Sequence, residues 1–412
     1  MAEYLVLQAA RFGDLLQTKR LLLSVQRLGT VHLLLDSALA PLAKRLYPFA
    51  HVHAFTFHGH LDRKNLASNA QTVATLQHLN INAVINCNCS GLTEAVARSF
   101  SCPVLGNRPH FCTDGGVRRD LVTRLLQRTT MRRTLSTLNL EDAWAHMVQD
   151  PIAPNLVNPK PVGGGKGLGV VLMGREARRS LSAEIVAELI RIYVQVLPKK
   201  PHIYLLGTAQ ENPMALKIRR LLPANIWDLV QNLTGKTSLL DLFEVLTDLD
   251  LLLTPDTGTM HLAAHLGVPV QAYFLSSALC HETGPYGEGH KIVQAIFDCS
   301  PCLERNPCSF KVRCLEPFRC REFFRFSTLT AQGKPCEIPE GLQFFEQTMD
   351  ALGVLSKCLA GVDPYAEKRR CVRQLFATDL GVRLEEDLVF DSRILQAMLQ
   401  DRDWMLPKSR YA

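Results

Sequence analysis

The chain has 412 residues, 47% of them apolar, enough to bury two cores of ordinary domain size. It has no charge-poor run of about 18 residues, which argues against a membrane span, and its acidic, strand-patterned start Met1-Ala2-Glu3-Tyr4-Leu5-Val6-Leu7 argues against a signal peptide. A net charge of +7 suits an anionic substrate or membrane surface, but no basic stripe with interleaved aromatics points to nucleic acid.

Short apolar runs alternate with amphipathic stretches over the first 150 residues. They predict strands at 4–9, 31–35, 51–57, 83–87 and 102–105, and helices at 14–28, 38–47, 66–79, 91–100 and 118–127. Such alternation predicts parallel α/β units. Pro151, Pro154, Pro159 and Pro161, followed by Gly163-Gly164-Gly165, read as a linker. Beyond it the pattern predicts strands at 168–173, 202–206, 249–253 and 268–274, with helices at 182–196, 211–221, 237–246 and 258–266. Residues 299–336 are cysteine-rich, and the chain from Leu352 to Ala412 is charged and mostly helical in pattern. The economical picture is two doubly wound α/β domains, 1–155 and 156–350, facing a central cleft, with a helical extension over 351–412. In open α/β sheets ligands bind beyond the carboxyl ends of the strands, where segments 10–18, 172–181 and 254–261 are expected.

The most informative stretch is Thr254-Pro255-Asp256-Thr257-Gly258, an apolar strand running into a glycine-bearing turn where a helix opens. The free N–H groups and positive dipole end of such a turn form an anion site, and Gly258 lets a phosphate approach the backbone. A simple cap needs no glycine at the second helical position, where it costs about 1 kcal/mol relative to alanine. His261, one turn on, is placed to donate to the same phosphates. Asp14, after Gly13 at the end of the first strand, reads either as a helix cap or as a general base. Arg175, Arg178 and Arg179 follow a later strand, as solvated charges or as partners of a diphosphate leaving group.

Other patterns carry less. His261 and His265 are four apart but lack the glutamate of an H-E-x-x-H pair, and Asp248-Leu249-Asp250 lies at a strand's entry, away from the anion turn. Neither is expected to bind metal. Gly235-Lys236-Thr237 and Gly163–Gly167 both lack the strand-to-helix setting of a P-loop. Thirteen cysteines fit free thiols and one local cluster better than a secreted disulfide framework, so a cytoplasmic setting is expected. Cys299, Cys302, Cys308, Cys314 and Cys320 match no standard metal spacing and are expected as reduced thiols. His51, His53, His58 and His60 cluster locally, but without cysteine or carboxylate neighbours they are not expected to hold metal.

Four segments resemble glycosyltransferase family 9, the bacterial ADP-heptose:lipopolysaccharide heptosyltransferases. They are LVLQAARFGDLLQT (5–18), GKTSLLDLFEVLTDLDLLLTPDTGTMHLAAHLGVPVQAYF (235–274), TGPYGEGHKIV (283–293) and CSPCLERNPCSFKVRCLEP (299–317). A looser segment, MGREARRSLSAEIVAEL (173–189), stands where the family has a Lys-x-Trp-Pro element, with Arg179 in place of that lysine and Leu181 in place of that tryptophan. The resemblance covers roughly residues 4–350. It implies a GT-B fold of two Rossmann-like domains, the N-terminal one holding the acceptor and the C-terminal one the nucleotide sugar. It implies that Asp14 is the base and that Arg179, Asp256, Thr257, Gly258 and His261 form the donor set. Glu211, where family members carry an acidic residue for the nucleoside, joins that set, although a first-turn helix carboxylate fits the position equally well. Arg11, beside Asp14, is the acceptor-binding candidate.

The expected activity is inverting, metal-independent transfer of heptose from ADP-L-glycero-D-manno-heptose to a lipopolysaccharide core acceptor. No cofactor is expected beyond the donor itself. The partners would be the nucleotide sugar and a lipid-linked saccharide, with peripheral contact at the inner membrane compatible with the basic charge. Two alternatives stay open: a catalytically weak or regulatory member that uses its cysteine region and C-terminal extension for partners, and a nucleotide-sugar epimerase of similar architecture.

Overall fold

A computed structural model describes the chain except for residues 60–61, 89, 107–109, 112–116, 119–132, 175, 198–199, 304–305 and 386–412. It divides into two units: Met1–Val157 with Ala351–Gly353 and the chain from Lys368, and Asn158–Asp350 with Val354–Glu367.

In the first unit, strands β1 (Ala2–Gln8), β2 (Gly29–Asp36), β3 (Ala50–Phe55), β4 (Ile81–Asn86) and β5 (Val104–Gly106) form one sheet in the order β3-β2-β1-β4-β5. Every pairing is parallel, with Leu5 opposite His32 and Leu7 opposite both Leu34 and Asn86. Leu5, Val6, Leu7, Leu33, Leu34 and Leu35 are fully buried, the continuous apolar run of strands covered on both faces. One face packs Leu5, Leu7, Leu34 and Phe55 against Leu76 of helix Arg63–Gln77 and Val96 of helix Gly91–Arg98.

A small two-stranded ribbon, β6 (His110–Phe111) and β7 (Val117–Arg118), lies where the helix expected at 118–127 begins. The rest of that expected helix lies outside the described residues. The single helix expected at 14–28 is instead two, Phe12–Leu16 and Lys19–Gln26. They are separated at Thr18, whose hydroxyl donates to the Leu15 carbonyl at 2.5 Å. Such local side-chain bonding competes with helix continuation.

A buried ion pair ties this unit together. Arg20 (1% exposed) meets Asp142 (0%) at 2.5 Å and also donates to the carbonyls of Ile152 at 3.0 Å and Leu352 at 2.9 Å. Gly353 allows the close pass of the returning chain, since a Cβ there would fall 2.0 Å from the Asp142 carboxylate. Residues 351–412, expected as a separate helical extension, therefore divide. Val354–Ala360 is a strand of the second sheet, while helix Ala366–Asp379 sends Arg373 to the carbonyls of Thr137 (2.6 Å) and Gly353 (3.0 Å) in the first unit.

The second unit is built on β8 (Leu168–Val171), β9 (Ile203–Leu206), β10 (Val230–Asn232), β11 (Leu251–Pro255), β12 (Val270–Phe274), β13 (Lys291–Ala295), β14 (Leu342–Met349) and β15 (Val354–Ala360). Their order is β10-β9-β8-β11-β12-β13-β14-β15, parallel as far as β13 and antiparallel beyond. Leu168, Val170 and Leu205 pack with Ile185, Leu189 and Ile190 of helix Ala183–Val196. Helix Arg321–Ala331, not anticipated in the cysteine-rich stretch, adds Phe323 and Phe326, three apart on one face, to the same core. Among the described residues no helix is long and apolar enough to cross a membrane.

An arginine cannot shed its charge, so Asp142→Asn leaves a buried cation without its counter-ion. Urea unfolding should show the variant less stable by about 3–5 kcal/mol; a loss below about 1 kcal/mol would assign the pair no structural weight.

Candidate functional site

In the second sheet β8 lies between β9 and β11, where the strand order reverses. Loops leaving the carboxyl ends of β8 and β11 diverge there, and such a crevice is where open α/β sheets take ligands. The loop after β8 carries Arg179 and the turn after β11 carries Asp256. The Arg179 Nη2 donates to the Asp256 Oδ2 and, at 3.2 Å, to the Asp256 main-chain carbonyl. The side chains are 15% and 9% exposed, so water screens the pair little. Thr283 Oγ1 donates to the same carboxylate oxygen at 3.1 Å, and Ser180 Oγ accepts the Gly174 N–H at 2.8 Å to close the arginine's loop.

Thr257 is the N-cap of helix Gly258–His265, with extended backbone (φ −148°, ψ 164°) and its Oγ1 accepting the Met260 N–H at 3.3 Å. Thr254 Oγ1 lies 3.1 Å from that hydroxyl and holds it in place. The N–H groups of Gly258 and Thr259 find no acceptor among the described residues, and both residues are half-buried at the helix start. They are the orphan donors that an anion satisfies. His261, one turn along, is 7% exposed, in a helix buried all round from Met260 to Ala264. Glu211 follows β9, one strand over, where its Oε2 accepts the Thr208 hydroxyl at 2.6 Å.

Only one of the three arginines after β8 is seen at this turn. Arg178 turns to the cysteine-rich loop, donating to the carbonyls of Asn306 at 2.6 Å and Leu303 at 3.3 Å. Arg175 lies outside the described residues. The contacts of Thr283 and Ser180 were not legible in sequence; Thr283 opens the TGPYGEG segment but lies 27 residues from Asp256.

Asp14 is not the N-cap but the third residue of helix Phe12–Leu16, capped at Arg11, in the segment that leaves the carboxyl end of β1; β1 pairs with β4 where the first sheet reverses its own strand order. Its Oδ2 accepts the Arg11 N–H at 3.1 Å, a capping contact of the kind expected at a helix start. Its Oδ1 has no partner among the described residues, so the cap leaves one carboxylate oxygen uncommitted. The Gln8 side chain donates to the Asp14 carbonyl at 3.3 Å, and Arg11 is exposed.

The weaker sequence patterns have structural explanations. Asp250 accepts the N–H groups of Gly165 (2.8 Å) and Gly167 (3.0 Å), while Asp248 pairs with Lys166 at 2.9 Å. The glycine run and the D-x-D therefore account for each other: a Cβ at Gly164 would fall 2.2 Å from the Asp248 Cα. Cys302 Sγ lies 3.1 Å from Ser276 Oγ. The exposed Cys308 thiol is held below the ordinary thiol range, chiefly by the Val312 N–H, then by that of Phe310 and the charges of Arg178 and Arg313. Among the described residues no three metal-ligating side chains converge.

Residues 183–312 match the profile of glycosyltransferase family 9 (heptosyltransferase). Over 72 residues the chain is 32% identical to lipooligosaccharide heptosyltransferase 2 of Haemophilus influenzae, 18% of this chain and 21% of that protein. The matched stretch thus spans about a fifth of that relative's length. Among solved structures the chain is similar to a family 9 glycosyl transferase from Veillonella parvula, with 14% identity over 80% of this chain and 97% of that one, TM-score 0.59. It is also similar to E. coli heptosyltransferase WaaC with ADP (16% identity, 71% and 93% covered, TM-score 0.54). E. coli ADP-heptose lps heptosyltransferase II gives 13% identity over 72% and 91%, TM-score 0.53. At these identities the likeness bears on the fold, and it is that of the GT-B heptosyltransferases.

His290, in the TGPYGEGHKIV segment, is 0% exposed, and neither ring nitrogen has a partner among the described residues. Burial pushes its pKa down to about 4. The unfolded chain therefore takes up this proton first, and stability that is complete above the ordinary value near 6.5 is lost as pH falls toward 4. Relative to His290→Leu, the wild type should lose up to about 3 kcal/mol of unfolding free energy as pH falls across that window. A difference that stays constant from pH 7 to pH 4.5 would contradict this.

Proposed function

We propose, from the premise that residues 183–312 belong to glycosyltransferase family 9, that this protein is an inverting, metal-independent heptosyltransferase. Its donor would be ADP-L-glycero-D-manno-heptose and its acceptor a lipid-linked lipopolysaccharide core saccharide. The observation that carries the reading is the pair of unclaimed N–H groups at Gly258 and Thr259, opening a helix where the strand order reverses, with the Arg179 guanidinium fixed at the same turn. The ADP in the E. coli WaaC structure supports an adenine nucleotide diphosphate as the leaving group.

In this reading the acceptor hydroxyl attacks the anomeric carbon as the bond to the diphosphate oxygen breaks, and charge gathers on the departing ADP. Groups that bind this charge more strongly in the transition state than in the donor supply the acceleration. Asp256 and Arg179 together are neutral, so the cation's attraction for phosphate is partly offset and a larger share falls to the Gly258 and Thr259 amides. Thr257 shapes that amide pair by capping. Asp14, with Oδ1 uncommitted, takes the acceptor proton, and Arg11 lies beside it for the acceptor's polar groups. Glu211 would serve the nucleoside and His261 the phosphates. The protein would work in the cytoplasm, with peripheral contact at the inner membrane.

A catalytically weak or regulatory member is the second reading, favoured by one observation: the charge standing in for the family lysine, Arg179, is already paired with Asp256.

The deciding measurement is turnover of purified protein with ADP-heptose and lipid A core acceptors, following ADP release and acceptor mass. Asp14→Asn should lower transfer about 10²–10⁴-fold with donor affinity unchanged. Arg179→Ala should lower it about 10²–10³-fold. Full activity in Asp14→Asn would remove the proposed base, and an isomerised donor with no sugar transferred would make the protein an epimerase. No turnover with any acceptor, but retained ADP-heptose binding, would favour the regulatory reading.

A further inference from the structure

His51, His53 and His58 have no carboxylate neighbour in sequence (His60 lies outside the described residues), and the fold supplies one near His53. Parallel pairing aligns β1, β2 and β3 so that Glu3, His32 and His53 line one face of the first sheet near its amino-terminal end. Glu3 Oε2 accepts from His32 Nε2 at 2.7 Å, and its Oε1 accepts the Thr30 hydroxyl at 3.2 Å. With Nε2 carrying the proton toward Glu3, His32 Nδ1 presents a lone pair, and it faces His53 Nε2 at 3.0 Å. His51 stacks on His32 with ring centroids 5.1 Å apart.

We propose that His32 Nδ1 and His53 Nε2 form a binding site for one divalent transition cation, with Glu3 as the carboxylate that orients His32 and water filling the remaining positions. Nitrogens bound about 2.0–2.1 Å from an ion lie about 2.9 Å apart at a right angle and about 3.4 Å apart on a tetrahedron. The observed 3.0 Å is the N–H···N hydrogen bond of the metal-free pair, so a cation would turn both rings until their lone pairs converge on it; imidazole nitrogens suit Ni²⁺ and Cu²⁺. A carboxylate on the far nitrogen of a ligating imidazole fixes its tautomer and raises its basicity. The cation replaces the proton shared between the rings, which moves to His53 Nδ1, a nitrogen with no partner among the described residues. No net proton is released. His32 is 6% exposed while His53 is half-buried, so the ion enters from the His53 side. This site lies away from the strand carboxyl ends and does not depend on the transferase reading.

Calorimetric titration of the full chain with NiCl₂ tests the assignment. The wild type should show a saturable site that His53→Gln eliminates and Glu3→Gln weakens about 10–100-fold. His51→Gln, which removes only a stacked ring, should leave it intact. An isotherm identical in wild type and His53→Gln would overturn the proposal, as would a loss in His51→Gln as large as that in His53→Gln. Should a variant fail to fold, the wild type alone decides by proton NMR. Substoichiometric Ni²⁺ should broaden the ring signals of His32 and His53 before those of other histidines, and uniform broadening would equally overturn the site.

Discussion

The reversal of strand order beside β8 is the constraint on which the second unit's chemistry rests. Parallel strands force every connection to return to the same edge, so the loops after β8, β9 and β11 all emerge together at the carboxyl end. Where the winding changes direction, two of these loops part and leave helix amides without acceptors. Arg179 and Asp256 are 77 residues apart in the chain, yet this geometry brings them into one ion pair. The first sheet repeats the device, and there the reversal falls beside Asp14.

Charge inside both units is handled by pairing and by main-chain carbonyls. Arg20 and Asp142 are almost wholly excluded from water, and Asp142 with the carbonyls of Ile152 and Leu352 accepts from the Arg20 guanidinium. Breaking such a pair is costly because the survivor keeps its charge in a poor solvent. Nearby, burial pushes the Glu141 carboxyl up and the Lys19 amine down. The ion pair at the candidate donor turn follows the same logic with a different outcome. Asp256 positions the guanidinium, and in doing so it tempers the positive field available to a phosphate.

Glycines mark close approaches in both units, and the reasons differ. At Gly164 and Gly353 a side chain would collide with an aspartate, so both positions serve chain passage. Gly258 opens the helix that follows β11, a strand at the strand-order reversal of the second sheet. A glycine run alone did not separate these uses; the neighbours of each position do.

The strands β1, β2, β4, β8, β9, β11 and β12 were legible in sequence to within a few residues, because strands buried on both faces read as continuous apolar runs. So were the turn at Asp256-Thr257-Gly258 and the position of Asp14, since caps and strand ends are local chemistry. The antiparallel pair β14 and β15 was not, because a short mixed stretch such as Val354–Ala360, with Ser356 and Lys357 at its centre, takes its strand conformation from the partner it pairs with, not from its own pattern. Nor was the commitment of Arg178 to the cysteine-rich loop, or the meeting of Glu3, His32 and His53. Local sequence determined which segments are strands, which turns carry free amides and which residues carry charge. Which of those charges meet was decided by the tertiary structure alone, because parallel pairing and crossover helices set the distances between residues far apart in the chain.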